Sequence, residues 1–126
     1  MKAPLAGGAP IMLAADSYFV HDLAISATSL YWTDPYALYK VSVDGGTPAA
    51  VTTRAPATGG VGMIAVDQTN LYWIDNDGNI EMMPLAGGSP PTVLVSNLFN
   101  ATGIAVDATN VYWTNYDGTI KTIVRR

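Results

Sequence analysis

With 126 residues, a formal net charge of −4, six basic residues scattered along the chain and no cysteine, the sequence offers no electrostatic footprint for nucleic acid, no disulfide and no thiolate metal site. Hydrophobic residues make up 49% and charged residues only 13%, yet Gly, Pro, Asp and Asn interrupt every apolar stretch within about ten positions, which excludes a membrane-spanning helix. The apolar surface must therefore be covered by protein. The N-terminal stretch carries one lysine, Lys2, and no long apolar core before a small-residue cleavage site, so it does not read as a secretory signal.

The phrase Leu30-Tyr31-Trp32-Thr33-Asp34 returns as Leu71-Tyr72-Trp73-Ile74-Asp75 and as Val111-Tyr112-Trp113-Thr114-Asn115. A period of about 40 residues rich in short strand-like runs is the signature of propeller blades. A unit of that size cannot bury enough apolar surface alone, so the core has to form between units.

In chain order, residues 1–21 begin with Lys2-Ala3-Pro4-Leu5, which matches Met82-Met83-Pro84-Leu85, and continue through Gly7-Gly8 to a further run at Pro10 to Ala14. They read as the third and fourth strands of a split blade. Asp16-Ser17-Tyr18-Phe19-Val20-His21-Asp22 is irregular and leads into the next blade, where Tyr18, Phe19, His21 and Asp22 are candidates to contact a ligand. His21 is the only histidine, so no zinc set can be assembled within the chain. A His21-Asp22 pair has the chemistry of a base and its orienter, but no serine stands in a nucleophile-elbow context.

Residues 22–61 form the first full blade, in which Ser26 and Ser29 stand where the later copies have Asp and Asn. Residues 62–102 give the clearest one. Its four runs are Ile64 to Val66, Leu71 to Asp75, Ile80 to Leu85 and Thr92 to Val95, separated by Asp67 to Asn70, Asn76-Asp77-Gly78 and Gly87-Gly88. Asp-Gly pairs accept the positive φ of primed hairpin turns, so Asp77-Gly78 and Asp117-Gly118 predict tight hairpins. Residues 103–126 repeat the first three runs of a split blade. Short runs with period-two alternation joined by tight turns predict an all-β chain of four-stranded antiparallel blades.

Tyr31, Trp32, Tyr72, Trp73, Tyr112 and Trp113 recur mid-strand in one register, which assigns them to the core between blades rather than to a sugar-stacking platform. Met63, Met82 and Met83 fill gaps. Asp75 to Asn79 places oxygen ligands at alternate positions but lacks the sixth-position Gly and twelfth-position Glu of a calcium loop, so it reads as a hairpin turn, and no cofactor is expected. Asn100-Ala101-Thr102 fits a glycosylation sequon, a pattern common by chance.

Tyr31-Trp32-Thr33-Asp34, the Asp-Gly turns, and Val43-Asp44-Gly45-Gly46 with Leu85-Ala86-Gly87-Gly88 resemble the YWTD, or low-density-lipoprotein-receptor class B, repeat along essentially the whole chain. The third copy departs at Asn115. The resemblance implies a six-bladed propeller and an extracellular or cell-surface binding module. Three blades cannot close a ring when propellers have at least four. Reciprocal pairing of the N-terminal strands of one chain with the C-terminal blade of another gives six blades in a two-fold dimer and removes both open edges. Lys2 to Leu5 and Thr119 to Arg126 then claim one strand position, and the tight Gly118 hairpin favours the C-terminal copy, leaving residues 1–7 displaced.

The expected function is a non-enzymatic module that recognises a protein or a glycan through loops on one face of the ring. The competing reading is a lactonase- or lyase-like enzyme with its chemistry at the channel mouth, for which the first strands offer only Asp22, Asp67 and Asp107. A third reading is a fragment or engineered piece of a longer array whose one property is assembly.

Overall fold

A computed structural model describes residues 2–15, 20–53, 61–75, 77–87, 90–98 and 100–124, and the described residues hold eleven strands and no helix. The first sheet runs β1 (Asp22–Ile25), β2 (Ser29–Thr33), β3 (Ala37–Ser42) and β4 (Ala49–Thr53). The second runs β5 (Val61–Val66), β6 (Asn70–Asp75), β7 (Ile80–Pro84) and β8 (Thr92–Val95). The third has β9 (Ala101–Val106), β10 (Asn110–Asn115) and β11 (Ile120–Val124). Every pairing is antiparallel between strands consecutive in sequence, so each sheet is a meander. The fold is that of a β-propeller, as the repeat predicts.

Consecutive residues of a strand point to opposite faces, so the Tyr and Trp of each middle strand serve different neighbours. Tyr31 and Leu38 of the first sheet pack with Ile64, Leu71 and Trp73 of the second. Tyr72, Ile74 and Ile80 of the second pack with Val111 and Trp113 of the third. The second sheet is thus buried on both faces, and Tyr72 and Trp73 are both fully excluded from solvent. At about 1.5–3 kcal/mol for each large apolar side chain removed from water, these two seams are the main source of cohesion. The indole Nε1 of Trp73 and that of Trp113 are buried without a hydrogen-bond partner among the described residues, so the rings act by packing.

Three turns recur with their hydrogen bonds. Between first and second strands, Asp67 N donates to Asn70 O and Asp107 N to Asn110 O, at 3.0 and 3.1 Å. Between third and fourth strands, Gly45 N reaches Ser42 O and Gly87 N reaches Pro84 O, with both glycines at positive φ. The Asp-Gly hairpins differ from the primed turns predicted for them. Gly118 N donates to Asn115 O at 3.0 Å, and of Tyr116, Asp117 and Gly118 only the glycine has positive φ, which is a three-residue hairpin with a bulged glycine. The glycine takes the left-handed position at no steric cost, and the aspartate keeps an ordinary backbone.

At the N-terminus, Lys2 and Ile11 exchange backbone hydrogen bonds of 2.9 and 2.7 Å, and Gly7 N closes a turn onto Pro4 O. The Lys2 ammonium donates to Val43 O at 2.7 Å, which ties this pair of segments to the first sheet. The third-strand position of the third sheet is filled by β11.

Gly78 and Gly118 have nearly equal φ of +87° and +88°, but a Cβ at Gly78 would collide with the backbone carbonyl of Leu98, whereas one at Gly118 meets open space. Gly118→Ala is expected to cost about 1 kcal/mol from backbone strain alone. Gly78→Ala is expected to cost roughly 2–4 kcal/mol, because the Leu98 N–H bond to Gly78 O must also shift. Urea midpoints of the two variants check the order; equal losses would contradict it.

Candidate functional site

The first strands β1, β5 and β9 neighbour one another, and the three sheets fan outward from them. Their two ends differ in chemistry. At the trailing end lies a cavity of about 1060 Å³ lined by the repeated turns, including Ser26, Thr28, Asp67, Gln68, Thr69 and Asp107. At the leading end lies one of about 650 Å³ lined by His21, Met63, Asp75, Asp77, Leu98 and Asn100 among others.

The carboxylates at the trailing end are engaged in building the turns. Asp67 Oδ1 accepts the backbone N–H of Thr69 and of Asn70, both at 2.7 Å, while Oδ2 accepts the Tyr72 hydroxyl at 2.7 Å. Asp107 repeats this with Thr109, Asn110 and Tyr112, the hydroxyl bond being 2.8 Å. Each aspartate therefore caps a turn with one oxygen and latches the tyrosine five residues on with the other. The Thr109 backbone N–H, then the Tyr112 hydroxyl and Asn110 N–H, hold the Asp107 carboxyl below the usual carboxylate range. The same bond to Asp107 pushes the Tyr112 hydroxyl up. Burial raises the Tyr72 hydroxyl as well. In the first copy the serine replacement is met by Ser26 Oγ, which accepts from the backbone of Ser29 at 3.1 Å.

The last residue of the repeated phrase is also a turn cap. Asp34 Oδ1 accepts from Tyr36 N and Ala37 N at 2.7 and 2.8 Å, and Asp75 Oδ1 accepts from Asp77 N and Asn79 N, both at 2.9 Å. Asp75 Oδ2 takes the Asn79 side-chain amide, so both of its oxygens serve the hairpin. Where Asn115 stands in the third copy, Asp117 instead accepts from Thr119, and these bonds, the hydroxyl one first, hold its carboxyl down.

Of the ligand-contact candidates, Tyr18 and Phe19 lie outside the described residues. His21 is exposed at the leading-end cavity, and its backbone N–H donates to Thr33 O at 2.8 Å. Asp22 turns away from it, into the seam. Its Oδ2 accepts the Ile64 N–H of the second sheet at 3.0 Å, and beside it Thr33 Oγ1 donates to Gly62 O at 2.8 Å. Ile64 pairs in register with Trp73, but β5 is an edge strand and at that alternate position the N–H faces away from β6; Gly62 lies within the register shift between Val61 and Ile64, and the first sheet satisfies both backbone groups. At the second seam the corresponding positions are Met63 and Ile74, which pack there as apolar groups. Tyr31, Trp32, Tyr72, Trp73 and Trp113 are buried and Tyr112 is half-buried. Among the described residues, no three His, Asp or Glu side chains gather as a metal set.

The Asp-Tyr latch and the seam role of Asp22 are absent from the sequence reading. A signal for the first was present, an Asp five residues before Tyr in the second and third copies. None existed for the second, whose partner lies 42 residues away.

No protein-family model matches the chain, and no curated protein sequence does. Solved propellers resemble it. A chain of the nidogen/laminin complex superimposes with a TM-score of 0.73 at 27% identity over 83% of this chain and 44% of that one. The WD40 β-propeller domain of Doa1 gives 0.73 at 18% identity over 89% and 39%. Streptogramin B lyase gives 0.62 at 14% over 84% and 40%. This chain thus spans less than half of each, and the two more distant likenesses concern the fold alone.

Two outcomes test these roles. Asp22→Ala strands the Ile64 N–H and is expected to cost about 1–3 kcal/mol, with Asp22→Asn losing less because an amide oxygen can still accept; denaturant titration measures both. For Asp107, a lowered native pKa means that its contribution is present above about pH 4 and fades as pH falls through the native value, whereas the raised Tyr112 contributes below about pH 10 and fades as pH rises. Urea midpoints followed into acid should fall less steeply in Asp107→Asn; an unchanged acid slope would contradict the latch.

Proposed function

We propose that this chain is a half-propeller of the YWTD kind, a non-enzymatic module that recognises a protein or a glycan through the loops at the His21 end, with two copies completing a six-bladed ring. One observation carries the reading. All three acids that a channel-mouth enzyme would draw on, Asp22, Asp67 and Asp107, are bonded to turn, tyrosine or neighbouring-blade groups and build the fold. The same engagement makes the trailing end a poor recognition face, since its repeated turns are closed on themselves.

The leading end favours recognition. His21 comes from the segment before the first full blade and Met63, Asp77 and Asn100 from residues 62–102, and together they present different chemistry around one cavity at the loops, where a repeated frame acquires a specific surface. That a similar chain occurs in a nidogen/laminin complex supports protein over glycan as the ligand class. The second copy is the occupant that supplies three further blades with matching faces.

Light scattering of the purified chain should give about twice the chain mass; a monomer at high concentration would overturn the ring. Screening against a panel of extended peptides and a glycan array, followed by NMR titration of the best binder, should perturb His21, Asp77 and Asn100. His21→Ala with Asp77→Ala should weaken that binder at least roughly tenfold with stability unchanged. Perturbation confined to Ser26, Gln68 and their neighbours would overturn the choice of face.

A further inference from the structure

We infer that the two outer blade faces, which leave Leu23 and Ile25 on one and Ile120 on the other exposed while Trp32 is already buried, are the halves of one further seam, closed by a second copy of this chain that also receives the N-terminal segment as its outermost strand. The inference rests on the half-ring reading above and specifies its contact. Each seam within the chain joins a face marked by Tyr to a face marked by Trp: Tyr31 and Leu38 meet Trp73 and Ile64, and Tyr72 and Ile80 meet Trp113 and Val111. What remains is one face of each kind. The first sheet presents Trp32 with Leu23 and Ile25, and the third presents Tyr112 with Ile120, as the cross-strand pairs Leu23↔Trp32 and Ile120↔Thr114 require.

Burial shows what these faces lack. Leu23 is 61% exposed and its counterpart Ile64 only 4%; Ile120 is 75% exposed and its counterpart Ile80 is fully buried. A Tyr face and a Trp face are complementary, and neither matches itself. Under a two-fold axis each copy offers both, so the contact forms twice and the ring closes.

The N-terminal segment marks where the second copy sits. Leu13, Ala14 and Val20 lie against Leu23, Leu30 and Trp32 around a space of about 120 Å³, on the side of the first sheet away from the second. Aligned on Gly7-Gly8 and Gly45-Gly46, Leu13 corresponds to Val51 of β4, which packs against the first seam cluster. Residues 10–15 thus lie as the fourth strand of a blade preceding the first, held by Lys2 on Val43 O. The other three strands of that blade are β9, β10 and β11 of the second copy. All five residues of β11 are exposed, and its free edge takes Ile11 opposite Thr122 in the place that Lys2 holds in the single chain, as β3 takes Ala49 opposite Lys40.

The test uses two charge substitutions at residues already exposed in the single chain, so that folding is spared. Leu23→Glu and Ile120→Glu, each alone, spoil both seams of a homodimer and should weaken association at least roughly hundredfold, giving the monomer mass by light scattering with unchanged circular dichroism. Mixed in equal amounts, they should regain the dimer mass, because the hybrid keeps one seam with neither glutamate. Val93→Glu, at an exposed apolar residue of β8, should leave the wild-type mass unchanged. A wild-type dimer indifferent to both substitutions, or no recovery on mixing, overturns the seam while the ring reading stands. A wild-type monomer overturns the ring itself, and a mass that keeps growing with concentration overturns two-copy closure.

Discussion

Adjacent residues of a β-strand cannot share a face, and from that constraint the Tyr-Trp dipeptide derives its place in the molecule. In β6 the tyrosine is sent to the third sheet and the tryptophan to the first, so one dipeptide supplies an anchor to each of two seams. The turns, the order of sheets and the exposed flanks follow from repeating that arrangement. The second sheet, with neighbours on both sides, buries both faces; each end sheet leaves large apolar residues of its outer face in solvent, Leu23 in the first and Ile120 in the third, although Trp32 is itself buried.

Acidic residues hold this frame instead of standing free within it. Asp34 and Asp75 cap the turn after the middle strand, Asp67 and Asp107 cap the turn before it and latch the tyrosine, and Asp22 bridges two sheets. A carboxylate whose oxygens accept backbone N–H bonds of its own turn is a structural element with those acceptor positions already occupied.

Much of the fold was legible because it is periodic. The runs around Trp32, Trp73 and Trp113 and the turns at Asp67 and Asp107 recur with their bonding, and β8 spans the residues expected of it. Other features depend on backbone geometry that side-chain identity does not announce. Asp77-Gly78 looks like a primed turn, yet only the glycine needs positive φ once a bulge is allowed. Asp22 reads as part of an exposed His-Asp pair; its role depends on β5 being an edge strand whose Ile64 N–H faces the first sheet. The leading-end cavity was less legible than the frame, because its lining joins His21 to residues of the 62–102 segment that are distant in sequence and stand largely where the copies differ.

Amide hydrogen exchange followed against protein concentration tests two-faced packing most directly. At low concentration β6, covered on both faces, should exchange slowest, with β1 and β10 markedly faster. As concentration rises, β1 and β10 should gain protection together while β6 changes little. Equal protection of all three sheets at every concentration would contradict the picture of one covered blade between two half-covered ones.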